Sequence, residues 1–116
     1  MLDTSHIKQV TTLEQYDVKI TVVKRLSTKD VFGSSSPKTS GEVEPVCTRF
    51  KEGDTFMSEK GACPQGFCGW AFADIQRDIA HLRFGGSYPW IQEPNVAYSC
   101  CTDGLRPVIF KLERAK

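Results

Sequence analysis

The stretch CPQGFCGWAFADIQRDIAHLRFGG, residues 63–86, decides the fold. Within it Cys68, Ala71, Phe72, Ile75, Ile79 and Leu82 recur at intervals of three and four, while Asp74, Arg77, Asp78 and His81 fall opposite. That period gives an α-helix a single apolar stripe. It predicts one amphipathic helix of about four turns, ended by Gly85 and Gly86, since glycine readily takes the left-handed conformation that closes a helix.

On both sides of this stretch the period changes to two. YDVKITVVKRL, residues 16–26, alternates Val18, Ile20 and Val22 with Asp17, Lys19 and Thr21, the mark of a half-buried strand rich in β-branched residues. VCTRFKEGDTFM, residues 46–57, holds a turn at Glu52 and Gly53 and then a short strand around Thr55 to Met57. NVAYSCC and RPVIFKLER, residues 95–101 and 106–114, read as two strands joined through Thr102, Asp103, Gly104 and Leu105, and Asp-Gly between apolar runs is a hairpin signal. Pro107 places the start of the last strand at an edge or a bulge. The order β, short β, α, β-hairpin contains no βαβ alternation, so the expected class is α+β: a small, mainly antiparallel sheet packed by one amphipathic helix, with a C-terminal β-hairpin. The crossing SYPWIQEP, residues 87–94, is rich in turn formers and should set Tyr88 and Trp90 near the helix C-terminus.

A chain of 116 residues suffices for one domain with a modest core. Residues 1–15 are polar and unpatterned and read as a mobile N-terminal tail, leaving 16–116 as the single domain. Residues 27–45, rich in Ser, Gly, Pro and charge, read as a long exposed loop. Fifteen Lys and Arg against fourteen Asp and Glu leave a net charge of +1, and no stretch interleaves basic and aromatic residues as a nucleic-acid groove would need. No apolar run approaches the roughly 18 residues that span a bilayer, and MLDTSHIKQV carries no signal core. The expectation is a cytoplasmic protein with neither nucleic acid nor membrane as partner.

The chemistry gathers on cysteine. Cys47, Cys63, Cys68, Cys100 and Cys101 are odd in number and follow no export signal, so reduced thiols or metal thiolates are expected rather than a disulfide framework. A bridge between Cys100 and Cys101 would need a distorted peptide, because a trans peptide holds neighbouring Cα atoms about 3.8 Å apart and bridged ones usually lie about 4.4 Å apart or more. Cys68 opens the helix, where free amides and the helix dipole favour a thiolate while burial opposes it. Alternation along the hairpin turns one of Cys100 and Cys101 toward the helix, and the company of Val96 and Tyr98 favours Cys100. Asp103 and Arg106 flank them, Arg106 suited to orienting an anionic group and Asp103 to carrying a proton, with a turn residue and a solvated charge as the plainer alternatives. Trp70, Tyr88 and Trp90 would wall the pocket.

The competing reading is metal binding. Cys47, Cys68, Cys100 and Cys101 would supply the four thiolates that zinc or an iron-sulfur cluster takes. The spacing shows no C-x-x-C knuckle, and the two histidines, His6 in the tail and His81 on the polar helix face, read as solvated. Phosphate-binding loops, GxSxG elbows and HExxH motifs are absent.

The blocks KITVVKR, GFCGWAFADI, FGGSYPW and CCTDGLRPVIFKLER resemble, in order, those of an uncharacterised family of short cysteine-containing proteins known chiefly from anaerobic bacteria and archaea. The resemblance spans residues 17–114. It implies that Cys47, Cys68, Cys100 and Cys101 are the family's cysteines and that Cys63 is not. Thr48 and Gly69 stand where the family often has proline, and the loop before Cys47 is longer than the family's. No activity comes with the resemblance. The function expected from the residues is therefore a small-molecule enzyme without an organic cofactor, of the lyase or isomerase type. Cys68, Cys100, Cys101, Asp103 and Arg106 would act in catalysis, Trp70, Tyr88 and Trp90 would bind the substrate, and the ligand would be anionic. A non-catalytic metal or iron-sulfur protein and a structural module with core cysteines are the alternatives, and self-association into a homo-oligomer stays open.

Overall fold

The computed structural model describes residues 14–115; most of the predicted tail, residues 1–13, lies outside them. Strand β1 (Asp17–Arg25), helix α1 (Thr28–Phe32), strand β2 (Thr55–Ser58), helix α2 (Gly69–Arg83), strand β3 (Val96–Cys100) and strand β4 (Val108–Ala115) follow in chain order. The four strands form one antiparallel sheet in the order β2-β1-β4-β3. The α+β class, the amphipathic helix and the C-terminal hairpin are as the periodicity predicts.

Alternation along the two inner strands builds one buried face. Val18, Ile20 and Val22 of β1 and Val108, Phe110 and Leu112 of β4 are all at most 1% exposed. Onto them α2 lays Ala71, Phe72, Ile75, Ile79 and Leu82. Phe50 and Phe67, from the segments flanking β2, fill the remaining space against Phe110 with ring centroids 5.3 and 5.5 Å away. The helix is pinned at both ends. Asp74 accepts hydrogen bonds from the amide and hydroxyl of Thr102, and at the far end Arg114 of β4 donates to the carbonyls of Leu82 and Gly86 at 2.9 and 2.7 Å. A cation there satisfies carbonyls that the helix itself leaves free.

Three local expectations change. The stretch 27–45 is exposed over most of its length but begins with α1, whose Ser27 and Asp30 form a reciprocal capping box, and Thr28 N–H donates to Pro45 O at 3.2 Å to close the segment. Pro107 precedes β4, which is an interior strand; the edges are β2 and β3, and the irregular register lies in β1 between Val22 and Lys24. Asp78, assigned to the polar side of the helix, is 4% exposed. No helix among the described residues is long and apolar enough to cross a membrane.

Since Ile79 is fully buried between the two layers, Ile79→Ala should lower stability by about 3 kcal/mol, whereas Val31→Ala on exposed α1 should change it by under about 0.5 kcal/mol. Denaturant unfolding followed by circular dichroism measures both.

Candidate functional site

The start of α2 and the β3–β4 loop do not close on one another. Between them and the 47–50 segment lies a cleft of about 640 Å³, bordered by Cys47, Arg49, Cys68, Trp70, Asp74, Cys101, Asp103 and Arg106. Arg25 holds one wall, its Nη1 donating to the carbonyls of Cys47 and Phe50, each at 3.1 Å. Phe50, buried in the aromatic cluster, anchors the same segment from below.

The opposite wall is a preorganised turn. Asp103 Oδ1 accepts from the amides of Leu105 and Arg106 at 2.9 and 3.2 Å, the side-chain bond by which aspartate sets a turn. Asp74 then straps the turn to the helix, with Thr102 N at 2.7 Å and Thr102 Oγ1 at 3.0 Å. Asp103 is thus a turn residue first, and it also lies 3.4 Å from Arg106 Nη2 through its other oxygen. Arg106 keeps an unused donor, because its Nε is buried and has no hydrogen-bond partner among the described residues.

The thiols differ from one another. Cys68 is the N-cap residue of α2, half-buried, and its side chain makes no capping bond; no acidic residue follows in the first turn. The leading amides of the helix therefore receive no side-chain cap from Cys68. Cys101 is half-buried and its Sγ accepts from the Val108 amide at 3.2 Å. Burial pushes its thiol above the ordinary value, more strongly than the amides of Asp103 and Val108 draw it down, and the negative charges of Asp103 and of an ionised Cys47 push the same way as burial. At neutral pH Cys101 is a thiol, a proton donor.

Cys100 is not part of this group. In β3, Ala97 lies opposite Leu112 and Ser99 opposite Phe110 on the covered face, so Tyr98, opposite Lys111, and Cys100, opposite Ile109, point away and are exposed. Val96 shares their phase, opposite Glu113, and is buried without belonging to the main core. Its apolar character had set the expected phase one residue out. The inward cysteine is Cys101.

The four-thiolate set falls with that change, since Cys47, Cys68 and Cys101 border the cleft and Cys100 does not. Among the described residues no three His, Cys, Asp or Glu side chains converge closely enough to hold a metal ion. Cys63 is exposed outside the cleft, and His81 is engaged by Ser87 O at 2.9 Å and by the Tyr88 ring. Tyr88 and Trp90 also lie elsewhere, in a separate recess. Of the three aromatic residues expected around the thiols only Trp70 is present, 87% exposed at the rim.

Arg49, Asp74 and Thr102 are the site residues that the sequence reading missed. Asp74 looked like one more charge on the solvent side of the helix, and no spacing rule links it to a threonine twenty-eight residues later. No family model, curated protein or solved structure matches this chain. Functional inference rests on the residues themselves.

Exposure and burial order the thiols. On native protein, mass mapping after brief alkylation should find Cys63 and Cys100 modified first and Cys101 last. Cys101 also gives stability a pH dependence of definite sign. Below about pH 8.5 its thiol is neutral in both the folded and the unfolded chain. Above that the unfolded thiol ionises first, so stability falls with rising pH until the raised pKa of the folded thiol is passed. Unfolding measured at about pH 8 and pH 10 should lose less stability in Cys101→Ala than in the wild type.

Proposed function

We propose that this protein is a small-molecule enzyme that takes an anionic substrate into the cleft between the start of α2 and the β3–β4 loop and moves a proton with thiols. The observation that carries the proposal is that Cys47, Cys68 and Cys101 border one cavity together with the guanidinium residues Arg49 and Arg106. Its volume, about 640 Å³, is in the range small-molecule sites occupy.

Two guanidiniums, Arg49 and Arg106, stand against two carboxylates, Asp74 and Asp103, and it is the prior commitment of the carboxylates that favours an anion. Asp74 is engaged by Thr102, and Asp103 by two amides and one arm of Arg106. Arg49 and Arg106 form the remaining recognition surface. A carboxylate or phosphate on the substrate would meet the guanidinium fork. Cys101, held neutral by burial, is the acid of the pair; Cys68, the N-cap residue of α2, borders the same cleft and is its partner in the proton transfer. Proton removal at one carbon and return at the same or a neighbouring position, or loss of a leaving group, is isomerase or lyase chemistry and uses two such groups.

The test pairs folding with binding. Wild type, Cys68→Ser, Cys101→Ser and Arg106→Met would be melted alone and with a series of small carboxylates and phosphate esters, and turnover followed by proton NMR in heavy water. The expected result is an anion that raises the wild-type melting temperature and exchanges a carbon-bound proton for deuterium. Both serine variants should keep their folds and lose the exchange, and Arg106→Met should lose the thermal shift. Mild destabilisation of the serine variants, with no anion stabilising any form, would make these thiols core filler and remove the proposal.

A further inference from the structure

The recess that holds Tyr88 and Trp90 encloses about 430 Å³ beside the second half of α2, bordered by Arg77, Asp78, Tyr88, Trp90, Ile91 and Tyr98. It shares no residue with the thiol cleft. Its aromatic side is a stacked column. Tyr88 stacks on His81 with centroids 4.5 Å apart and on Trp90 with centroids 4.9 Å apart, at interplanar angles of 27° and 28°. The Tyr88 hydroxyl is fixed on Asp78 Oδ1 at 2.5 Å. At the end of this column the indole of Trp90 is 74% exposed. A large apolar surface is thus left in water while stacked on Tyr88, so a ligand covering it gains burial.

The polar side is paired. Arg77 Nε lies 3.6 Å from Asp78 Oδ1, Lys111 Nζ lies 3.0 Å from Glu93 Oε2, and the Tyr98 hydroxyl donates to Glu93 Oε1 at 2.6 Å. Of the charged residues that border the recess Arg77 offsets Asp78, and beyond Tyr98 the cation Lys111 is shared by Glu93 and Glu113. A phosphate would want surplus positive charge there. A quaternary ammonium would want open ring faces around it, and both faces of Tyr88 are taken by its neighbours. What fits is a neutral molecule with an apolar face and a polar edge. We propose that the recess binds a neutral saccharide, one pyranose ring lying with its C–H face on Trp90 while its hydroxyls are read by Arg77, Asp78 and the hydroxyl of Tyr98. Carboxylate, guanidinium and phenol together supply both acceptors and donors to a diol. The site is independent of the thiol cleft, and either can fail without the other.

NMR of the uniformly 15N-labelled full chain tests this directly. The probes are the methyl pyranosides of glucose, galactose, mannose and N-acetylglucosamine, each also as the β-1,4-linked oligomer. The Trp90 indole N–H, assigned by its loss in Trp90→Ala, should shift saturably with at least one of them in the millimolar range, while the Trp70 indole stays in place. Arg77→Ala, an exposed change that leaves the core untouched, should weaken that binding about tenfold, the worth of one hydrogen bond to a charged group. Asp78→Asn should weaken it as well. Three results would overturn the proposal: no saccharide moving Trp90, tetramethylammonium moving it where no saccharide does, or a saccharide affinity unchanged in Arg77→Ala.

Discussion

A four-stranded sheet with one covered face depends on the single long helix that covers it. The inner strands β1 and β4 offer a continuous apolar surface, and only α2 presents enough buried side chains to remove it from water. The helix cannot slide along that surface, because Asp74 ties its start to Thr102 and Arg114 ties its end to the carbonyls of Leu82 and Gly86. Both ties reach the C-terminal hairpin. Helix and hairpin therefore form one unit, and the positions of Cys68, Cys101 and Arg106 relative to one another follow from it.

The same arrangement explains why a cleft exists. Helix starts are commonly closed by a Ser, Thr, Asp or Asn side chain. Here the N-cap residue is Cys68, which makes no cap, and the acid that would neutralise the first turn is absent. The first carboxylate along the helix, Asp74, is committed to the loop across the gap. Guanidiniums and thiols border one space beside a helix start without a side-chain cap, at some loss to the stability of that terminus. The aromatic recess is the opposite case, with every charge paired and a hydrophobic ring left open.

The helix, the strands and the pairing of the hairpin were legible because their periods are written in long runs of residues. The hairpin's connection was not: it runs over residues 101–107 rather than 102–105, and Gly104 does not take the positive φ of a tight Asp-Gly turn. The inward cysteine was not, because a five-residue strand offers little pattern and Val96 is buried on the outward side. The mistaken pocket wall had a geometric remedy within the sequence. A helix of fifteen residues rises about 22 Å, so aromatic side chains packed by its C-terminus cannot line a site at its N-cap. The first turn of α1 was also open to reading, since Ser27 and Asp30 stand at capping-box spacing. Nothing in the spacing announced the Asp74–Thr102 strap or the partnerless nitrogen of Arg106, which arise only once the hairpin folds over the helix.

The central claim is that cationic recognition and thiol chemistry share one cleft. Rates of alkylation at Cys68 and at exposed Cys63 by iodoacetate and by neutral iodoacetamide, resolved by mass mapping, test it most directly. The account predicts an iodoacetate-to-iodoacetamide rate ratio several times higher at Cys68 than at Cys63, falling to the Cys63 value in Arg106→Met. Equal ratios at the two cysteines in the wild type, or a ratio at Cys68 that Arg106→Met leaves unchanged, would contradict it.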